Sequence, residues 1–389
     1  MGLYPSSEVR RALKVQEVIL RAIGREITWI QAAEIIGVRP RTMRRWRARY
    51  EEHGYDGLFD RRRQRPSPKR VPMETVEKVL RLYREVYSDF NVSHFVDKLH
   101  EEHEIDLSYS WVKKALQEAG LVARKRKRGR HYKQRPRRPL PGMLLHVDGS
   151  QHEWLSGQGH QHLITIIDDA TSKVYYAQLV DQESRATVMT ALKETVEKQG
   201  IFCSLYADRA SHIVYTEKAG ERSSSKHRTQ IGRALQQLGI ELIAANSPQA
   251  RGRCERLFGT WQGRLPQELR LHNINSVTEA NRFLREYWIG FHNRKFAVEP
   301  AQEGTAFVSA DGADLNKIFS RQEHRVVQND NTVHYQRRIL QIEKQRFRYS
   351  MARCKVLVCE HLDGLISLYY GPHLLGVYDQ KGQLLSEAA

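Results

Sequence analysis

The run Met143-Leu144-Leu145-His146-Val147-Asp148-Gly149-Ser150 decides how the rest of this chain is read. Its apolar residues suit a buried strand, yet it ends on Asp148, and a carboxylate is costly to bury unpaired. A second run, Ile201-Phe202-Cys203-Ser204-Leu205-Tyr206-Ala207, ends on Asp208 in the same way. A third acid, Glu255, lies in Ser247-Pro248-Gln249-Ala250-Arg251-Gly252-Arg253-Cys254-Glu255-Arg256. There Ser247 can cap a helix and Pro248 suits its first turn.

Two strand-end aspartates and one helical glutamate can converge on a pair of divalent ions. Two-metal phosphodiester chemistry uses carboxylates that bridge ions about 3.5–4 Å apart. Mg²⁺ favours such hard oxygen ligands. Cys254, Leu257, Phe258, Trp261 and Leu265 recur at helical spacing, so this stripe faces the sheet and Glu255 borders it. Pro266 disfavours continuation of the helix. On spacing alone, a glutamate on a solvated face is an equal reading of Glu255.

Other acids compete. Forty-six residues separate Asp208 from Glu255, and Glu241 lies between them, inside the strand-like Gly239-Ile240-Glu241-Leu242-Ile243. Asp168 and Asp169 belong to Asp168-Asp169-Ala170-Thr171-Ser172, which reads as a strand end and turn where aspartate bonds backbone N–H groups. His146, His152, His160 and His162 lack cysteine partners and helical spacing, which argues against a histidine metal site.

Around these acids the pattern is α/β. Residues 163–167 form an almost continuous apolar run, as in a strand covered on both faces. A further strand is expected over 173–180, and a helix over about 184–198 leads into the strand before Asp208. Three strands, then helix, strand, helix, strand and helix, predict a mixed sheet. The polar stretch 215–226 is expected to be a surface loop carrying Lys218, Arg222 and Lys226.

The chain has 389 residues, 63 Lys+Arg against 45 Asp+Glu, a net charge of +18 and a pI near 9.8. Such an excess points to a polyanionic partner, nucleic acid before a membrane surface. Cys203, Cys254, Cys354 and Cys359 include no Cys-x-x-Cys pair, so neither a zinc site nor a disulfide framework is indicated. With no secretory or membrane-spanning stretch, the chain is expected to be cytoplasmic and nucleoid-associated.

The N-terminal region, 1–65, reads as a helix-turn-helix. Residues 28–38 follow a helical period up to Gly37, which permits a tight turn. On the next helix Met43, Trp46 and Tyr50 share one side, while Arg41, Arg44, Arg45 and Arg49 point elsewhere. Those arginines suit a major groove and its phosphates; a solvated basic face is the bland alternative. A second, winged helix-turn-helix is expected over 66–122, its last helix starting at a capping serine and ending at Gly120. Ten of the fifteen residues 124–138 are Lys or Arg, so 123–140 reads as a basic linker. The catalytic core is assigned to 141–300. Short β-like runs over 320–382 predict a small C-terminal β-barrel, with Arg321, Arg325, Arg337, Arg338, Arg346 and Arg348 as further DNA contacts.

Taken together, Leu145-His146-Val147-Asp148-Gly149-Ser150, Thr165-Ile166-Ile167-Asp168-Asp169-Ala170-Thr171-Ser172, Leu205-Tyr206-Ala207-Asp208-Arg209 and the segment around Glu255 carry a resemblance. The chain resembles DDE transposases and retroviral integrases, and among them bacterial insertion-sequence transposases of the ISNCY type. The resemblance implies an RNase H-like core with Asp148, Asp208 and Glu255 as catalytic acids binding two Mg²⁺ (or Mn²⁺) ions. It also implies element-end and target double-stranded DNA as partners and a homo-oligomer assembled on DNA. Arg251, Arg253 and Arg256 flank the glutamate and are candidates for holding phosphates. Two other functions fit parts of the pattern. A DNA-binding regulator retaining the fold would not need all three acids, and an RNase H-like nuclease would not need tandem helix-turn-helix modules.

Overall fold

The computed structural model describes residues 6–59, 70–124, 135–208, 210–211, 213, 229–245 and 252–387. The chain falls into two compact units, Met1–Leu82 and Tyr83–Ala389. The stretch 215–226 and the capping residues Ser247 and Pro248 lie outside the described residues.

The first unit is helical: α1 (Ser6–Ile23), α2 (Trp29–Ile36), α3 (Pro40–His53) and a 3-10 turn (Gly54–Leu58). Thr28 and Gln31 form a reciprocal capping box at the start of α2. Gly37 ends α2 at φ 75°, a left-handed conformation that a side chain would strain. Pro40 opens α3 in its first turn. Met43 is fully buried beneath α1 and α2, with Trp46 and Tyr50 packed at the edge of the same core. Arg41, Arg44, Arg45 and Arg49 are exposed, as the helical period requires. Arg47 is used internally, lying over the Trp29 ring at 4.6 Å and bonding Glu51 at 2.7 Å. The next helix, α4 (Met73–Glu85), runs across the division between the units.

In the second unit come α5 (Val92–Glu101) and α6 (Tyr109–Glu118), capped by the Asn91 and Ser108 side chains. No strand follows α6 before the core among the described residues, so the expected wing is not found there. Nor is this module a body apart. It shares a compact unit with the core because charged residues on α5 are buried against a core helix, as described below.

The core sheet holds β1 (Leu145–His152), β2 (Gln161–Asp168), β3 (Val174–Val180), β4 (Ser204–Ala207) and β5 (Glu241–Ala244), in the order β3-β2-β1-β4-β5. The first three are antiparallel neighbours, while β4 and β5 run parallel to β1. The sheet is therefore mixed, as the strand and helix order predicts. One face buries Leu145, Val147, Ile164, Ile166 and Leu205 under α7 (Arg185–Gln199) and α8 (Gln230–Gln237). The other buries Leu163, Ile167, Val174 and Leu179. It is covered by α9 (Gly252–Gln262), α10 (Leu265–Leu271), α11 (Val277–Phe283), a π turn (Leu284–Trp288) and α12 (Ile289–Phe296). The predicted stripe is present, but it is divided. Cys254, Leu257, Phe258 and Trp261 belong to α9, whereas Leu265 opens α10 with Pro266 in its first turn. Edge strand β3 is closed off by side chains: Asn281 bonds both the N–H and the carbonyl of Leu179, and Asn293 does the same at Val174.

Helix α10 receives α5 through a buried ionic cluster. His94 Nε2 lies 2.6 Å from Glu268 Oε1, and Lys98 Nζ lies 2.9 Å from the same oxygen and 2.7 Å from Glu102. Burial pushes the Glu268 carboxyl up, but the bonds from His94 and Lys98 outweigh it and hold it below the usual range. Burial also pushes the His94 imidazole down, against the pull of Glu268. Around this cluster Arg264 bonds Asp97 at 2.6 Å, and Asn91 donates to the Gly263 carbonyl at 2.8 Å.

Beyond the short α13 (Leu315–Ile318) lie β6 (Arg321–Val326), β7 (Thr332–Tyr335), β8 (Arg338–Gln341), β9 (Lys355–Glu360), β10 (Ile366–Tyr370), β11 (His373–Tyr378) and β12 (Leu384–Glu387). The expected barrel does not close among the described residues. The strands form an open antiparallel sheet, β12-β11-β10-β9-β6, plus the β7–β8 hairpin. Edge strands β6 and β12 do not pair with each other; instead Val333, Tyr335 and Leu340 of the hairpin fill the core that closure would have enclosed. Several C-terminal arginines expected at DNA are paired internally: Arg321 and Arg325 with Glu323, and Arg338 with Glu360.

Candidate active site

Strand β1 does not stop at Asp148. It continues to His152, and Asp148 lies opposite Thr165 of β2. What ends near Asp148 is the ladder with β4, whose last partners are His146 and Tyr206. Those two rings lie on one face, 5.2 Å apart. Two residues beyond that pair, Asp148 continues along β1, on the same face as His146. Asp208 directly follows the end of β4 at Ala207. Asp148 Oδ1 accepts from the Gly149 N–H at 3.0 Å, and Asp208 Oδ1 from the Ala210 N–H at 3.0 Å. Both are half-buried, between core and solvent.

Helix α9 crosses this face, held at both ends. At its start, the Arg253 Nε lies 3.2 Å from Asp169 Oδ1, the oxygen that also meets His146 Nε2 at 2.9 Å. At its end, Gln262 Nε2 donates to Ser150 Oγ at 3.0 Å. Arg253 to Gln262 spans about 13 Å of helix, and His146 to Ser150 about 13 Å of strand. Helix and strand therefore run alongside each other. Glu255 comes two turns before Gln262 on the same edge of the helix and is exposed. Among the described residues, no three histidine, cysteine or acidic groups converge closely enough to hold a metal ion. Asp148 and Asp208 are half-buried, and Glu255 is exposed.

The rival acids have other partners. Glu241 pairs with Ser204 at the far end of β4 and accepts from its hydroxyl at 3.1 Å. Asp168 accepts from the Gly142 N–H and from the N–H and hydroxyl of Thr171, at 2.9, 2.7 and 2.7 Å. Asp169 is fully buried and gathers His146, the Arg138 N–H, Arg135 and Arg253. Burial pushes its carboxyl up, but the His146 and Arg138 hydrogen bonds and the Arg253 charge bring it down to about 2. Both aspartates act as turn anchors, in keeping with their Asp-Asp-Ala-Thr-Ser setting.

Three features escaped the sequence. The end of the basic linker is pinned: Arg137 bonds the carbonyls of Asp169 and Ala170 and the Ser172 hydroxyl. Arg253 is also committed, with its side chain only 13% exposed, whereas Arg256 is exposed. Arg251 lies outside the described residues. Lastly, the end of the Glu183 side chain packs directly against Gly149, where a Cβ would make it shift.

Comparison with known proteins supports the same direction. Residues 16–67 match the helix-turn-helix domain family, and residues 42–116 match the homeodomain-like domain family. The chain is 30% identical over its whole length to a protein of Sinorhizobium fredii described as a transposase, y4bF, covering 85% of it. It is 29% identical over 82% of its length to the transposase for insertion sequence IS1202 of Streptococcus pneumoniae, covering 76% of that protein. Solved structures with some likeness include a simian T-cell lymphotropic virus intasome bound to a PP2A regulatory subunit, at 11% identity and a TM-score of 0.31. That match covers 80% of this chain and 99% of the other. Another is the HTLV-2 integrase catalytic core domain with magnesium, at 14% identity and a TM-score of 0.26, covering 38% of this chain and 89% of that one. Among the described residues, no helix is long and apolar enough to cross a membrane. By its full-length likeness to y4bF, this chain belongs to the transposases.

Proposed function

We propose that the protein binds the terminal inverted repeats of an insertion sequence, cleaves the element ends by metal-dependent hydrolysis and joins the freed 3′-hydroxyls to target DNA. Asp148, Asp208 and Glu255 are the catalytic acids in this reading. They would hold Mg²⁺ (or Mn²⁺), two ions per site. When bound, such ions lower the pKa of an attacking water and stabilise a leaving oxygen. The supporting observation is that Asp148 lies on β1 two residues past its last pairing with β4, Asp208 directly follows β4, and α9 carries Glu255.

The chain's own residues supply position. Strand β1, held between β2 and β4, fixes Asp148. The Arg253–Asp169 and Gln262–Ser150 contacts set the height of Glu255. Arg256, exposed one residue on, is aimed at phosphates; Arg251 is proposed for the same work. Arg41, Arg44, Arg45 and Arg49 of α3 would enter the major groove of the element end. In the first step water forms one P–O bond while the strand's 3′-oxygen leaves as a hydroxyl. In the second, that hydroxyl attacks a target phosphorus and the target's own 3′-oxygen leaves. One bond forms for each that breaks, so ATP is not needed. Two ends handled together require more than one copy, hence a homo-oligomer on DNA.

The test supplies Mg²⁺ and a labelled element end. Joined products are expected. Nicks alone would identify a nuclease, and binding alone a regulator that retains the fold.

A further inference from the structure

The C-terminal sheet displays a row of aromatic rings at its surface, of which only Tyr370 also packs against the core. Between β8 and β9 the chain reads Lys344-Gln345-Arg346-Phe347-Arg348-Tyr349, with cations and aromatics interleaved. Phe347 is 47% exposed and Tyr349 86%. Phe347 is not a stray surface residue. Its ring lies 4.4 Å from that of His373 at a 24° tilt, and 6.4 Å from that of Tyr370, parallel within 8°. Tyr370 ends β10 and His373 begins β11, so the rings form one row across that turn. The Arg348 guanidinium sits 6.0 Å from the Tyr370 ring centre, and Lys344 Nζ sits 5.4 Å from that of Tyr349. Apart from Glu343 just ahead of it, the segment carries no acid.

The chemistry of this surface selects its partner. Paired DNA offers phosphates to the cations but keeps its base faces stacked away from the rings. An apolar protein surface would suit the rings but would strip water from the cations without pairing them. Unpaired bases satisfy both, because every base has a π-face for an aromatic ring and a phosphate for a neighbouring arginine. We propose that the Phe347–Tyr370–His373 row, with Tyr349 and its flanking cations, binds unpaired bases of DNA. The proposal rests on the transposition reading only for where such bases arise, at an opened element end or in the target.

Binding of a short labelled oligothymidylate and of a labelled duplex to the full chain tests it. Phe347→Ala and Tyr349→Ala should each weaken single-strand binding by about tenfold and leave duplex binding within about twofold. Phe347→Trp should keep the single-strand affinity. Unchanged single-strand affinity in both alanine variants would overturn the proposal, as would equal losses for single strand and duplex. A duplex with an unpaired end from the element, compared with one of unrelated sequence, separates the two sources. Asp148→Asn protein should bind the single strand normally while failing to join ends. Either reading can therefore fall while the other stands.

Discussion

The Arg253 Nε lies 3.1 Å from the backbone oxygen of Asp169 and 3.2 Å from its carboxylate, so an arginine beside the candidate glutamate is tied to the core. The consequence is a division of labour among neighbouring charges. Asp169 and Arg253 hold α9 in place, while Glu255 and Arg256 remain at the surface. The same division separates acids that should matter for chemistry from acids that should matter for stability.

Asp148→Asn, Asp208→Asn and Glu255→Gln should each abolish cleavage and joining while leaving melting temperature and end binding nearly unchanged. Asp169→Asn should behave in the opposite way. It leaves Arg253 buried without its counter-charge, a loss of roughly 3–5 kcal/mol, yet the folded fraction should retain measurable joining. Thermal melts and a strand-transfer assay on the four variants decide it. Substantial joining by any of the first three removes that residue from the site.

Asp169 also sets a pH window. Its folded pKa, about 2, is depressed below the ordinary 3.8, so its stabilisation is complete above 3.8 and is lost as pH falls toward 2. The shift corresponds to roughly 2 kcal/mol. Denaturant melts of wild type and Asp169→Asn should differ by a constant amount from pH 8 to about 4, and the gap should narrow by roughly 2 kcal/mol as pH falls toward 2. A difference that persists undiminished at pH 2 would argue against the charge network.

On α3, replacing Arg44 and Arg45 with alanine should erase the sequence-specific footprint on an element end and spare weak general affinity, because base contacts specify and phosphate contacts position. Substituting the lysines and arginines of 124–130 should instead flatten the salt dependence of binding. An unchanged footprint in the Arg44/Arg45 variant would remove α3 from end recognition.

The buried cluster joining α5 to α10 predicts a local phenotype. Glu268→Gln deprives Lys98 and His94 of their shared carboxylate, at a cost of roughly 3–5 kcal/mol. Amide hydrogen exchange should accelerate in α5 and α10 well before it does in β1 and β2. Uniform acceleration across the sheet would mean that the cluster supports the whole core rather than one junction.

Periodicity was enough to place α2 and α3, though α1 went unread, as well as the β1, β2, β3 and β4 runs and the apolar stripe of α9. Each depends on residues close in sequence, and local backbone preference and amphipathic spacing act at that range. The exposure of Arg41, Arg44, Arg45 and Arg49 followed from the same spacing as the burial of Met43. Pairing across the fold was beyond that reach. Nothing in the local run around Asp148 says that its strand continues to His152, that its pairing with β4 will stop at His146, or that Glu241 will stand at the far end of β4. Registers are set by hydrogen bonds between distant segments. Charge was the least legible property. A lysine or arginine count cannot tell Arg256, which reaches solvent, from Arg253, Arg137 and Arg338, each of which finds an acid or a carbonyl only after folding. The expected barrel did not close for the same reason: β-forming runs specify strands, but the packing of Val333, Tyr335 and Leu340 beneath the sheet left β6 and β12 as open edges.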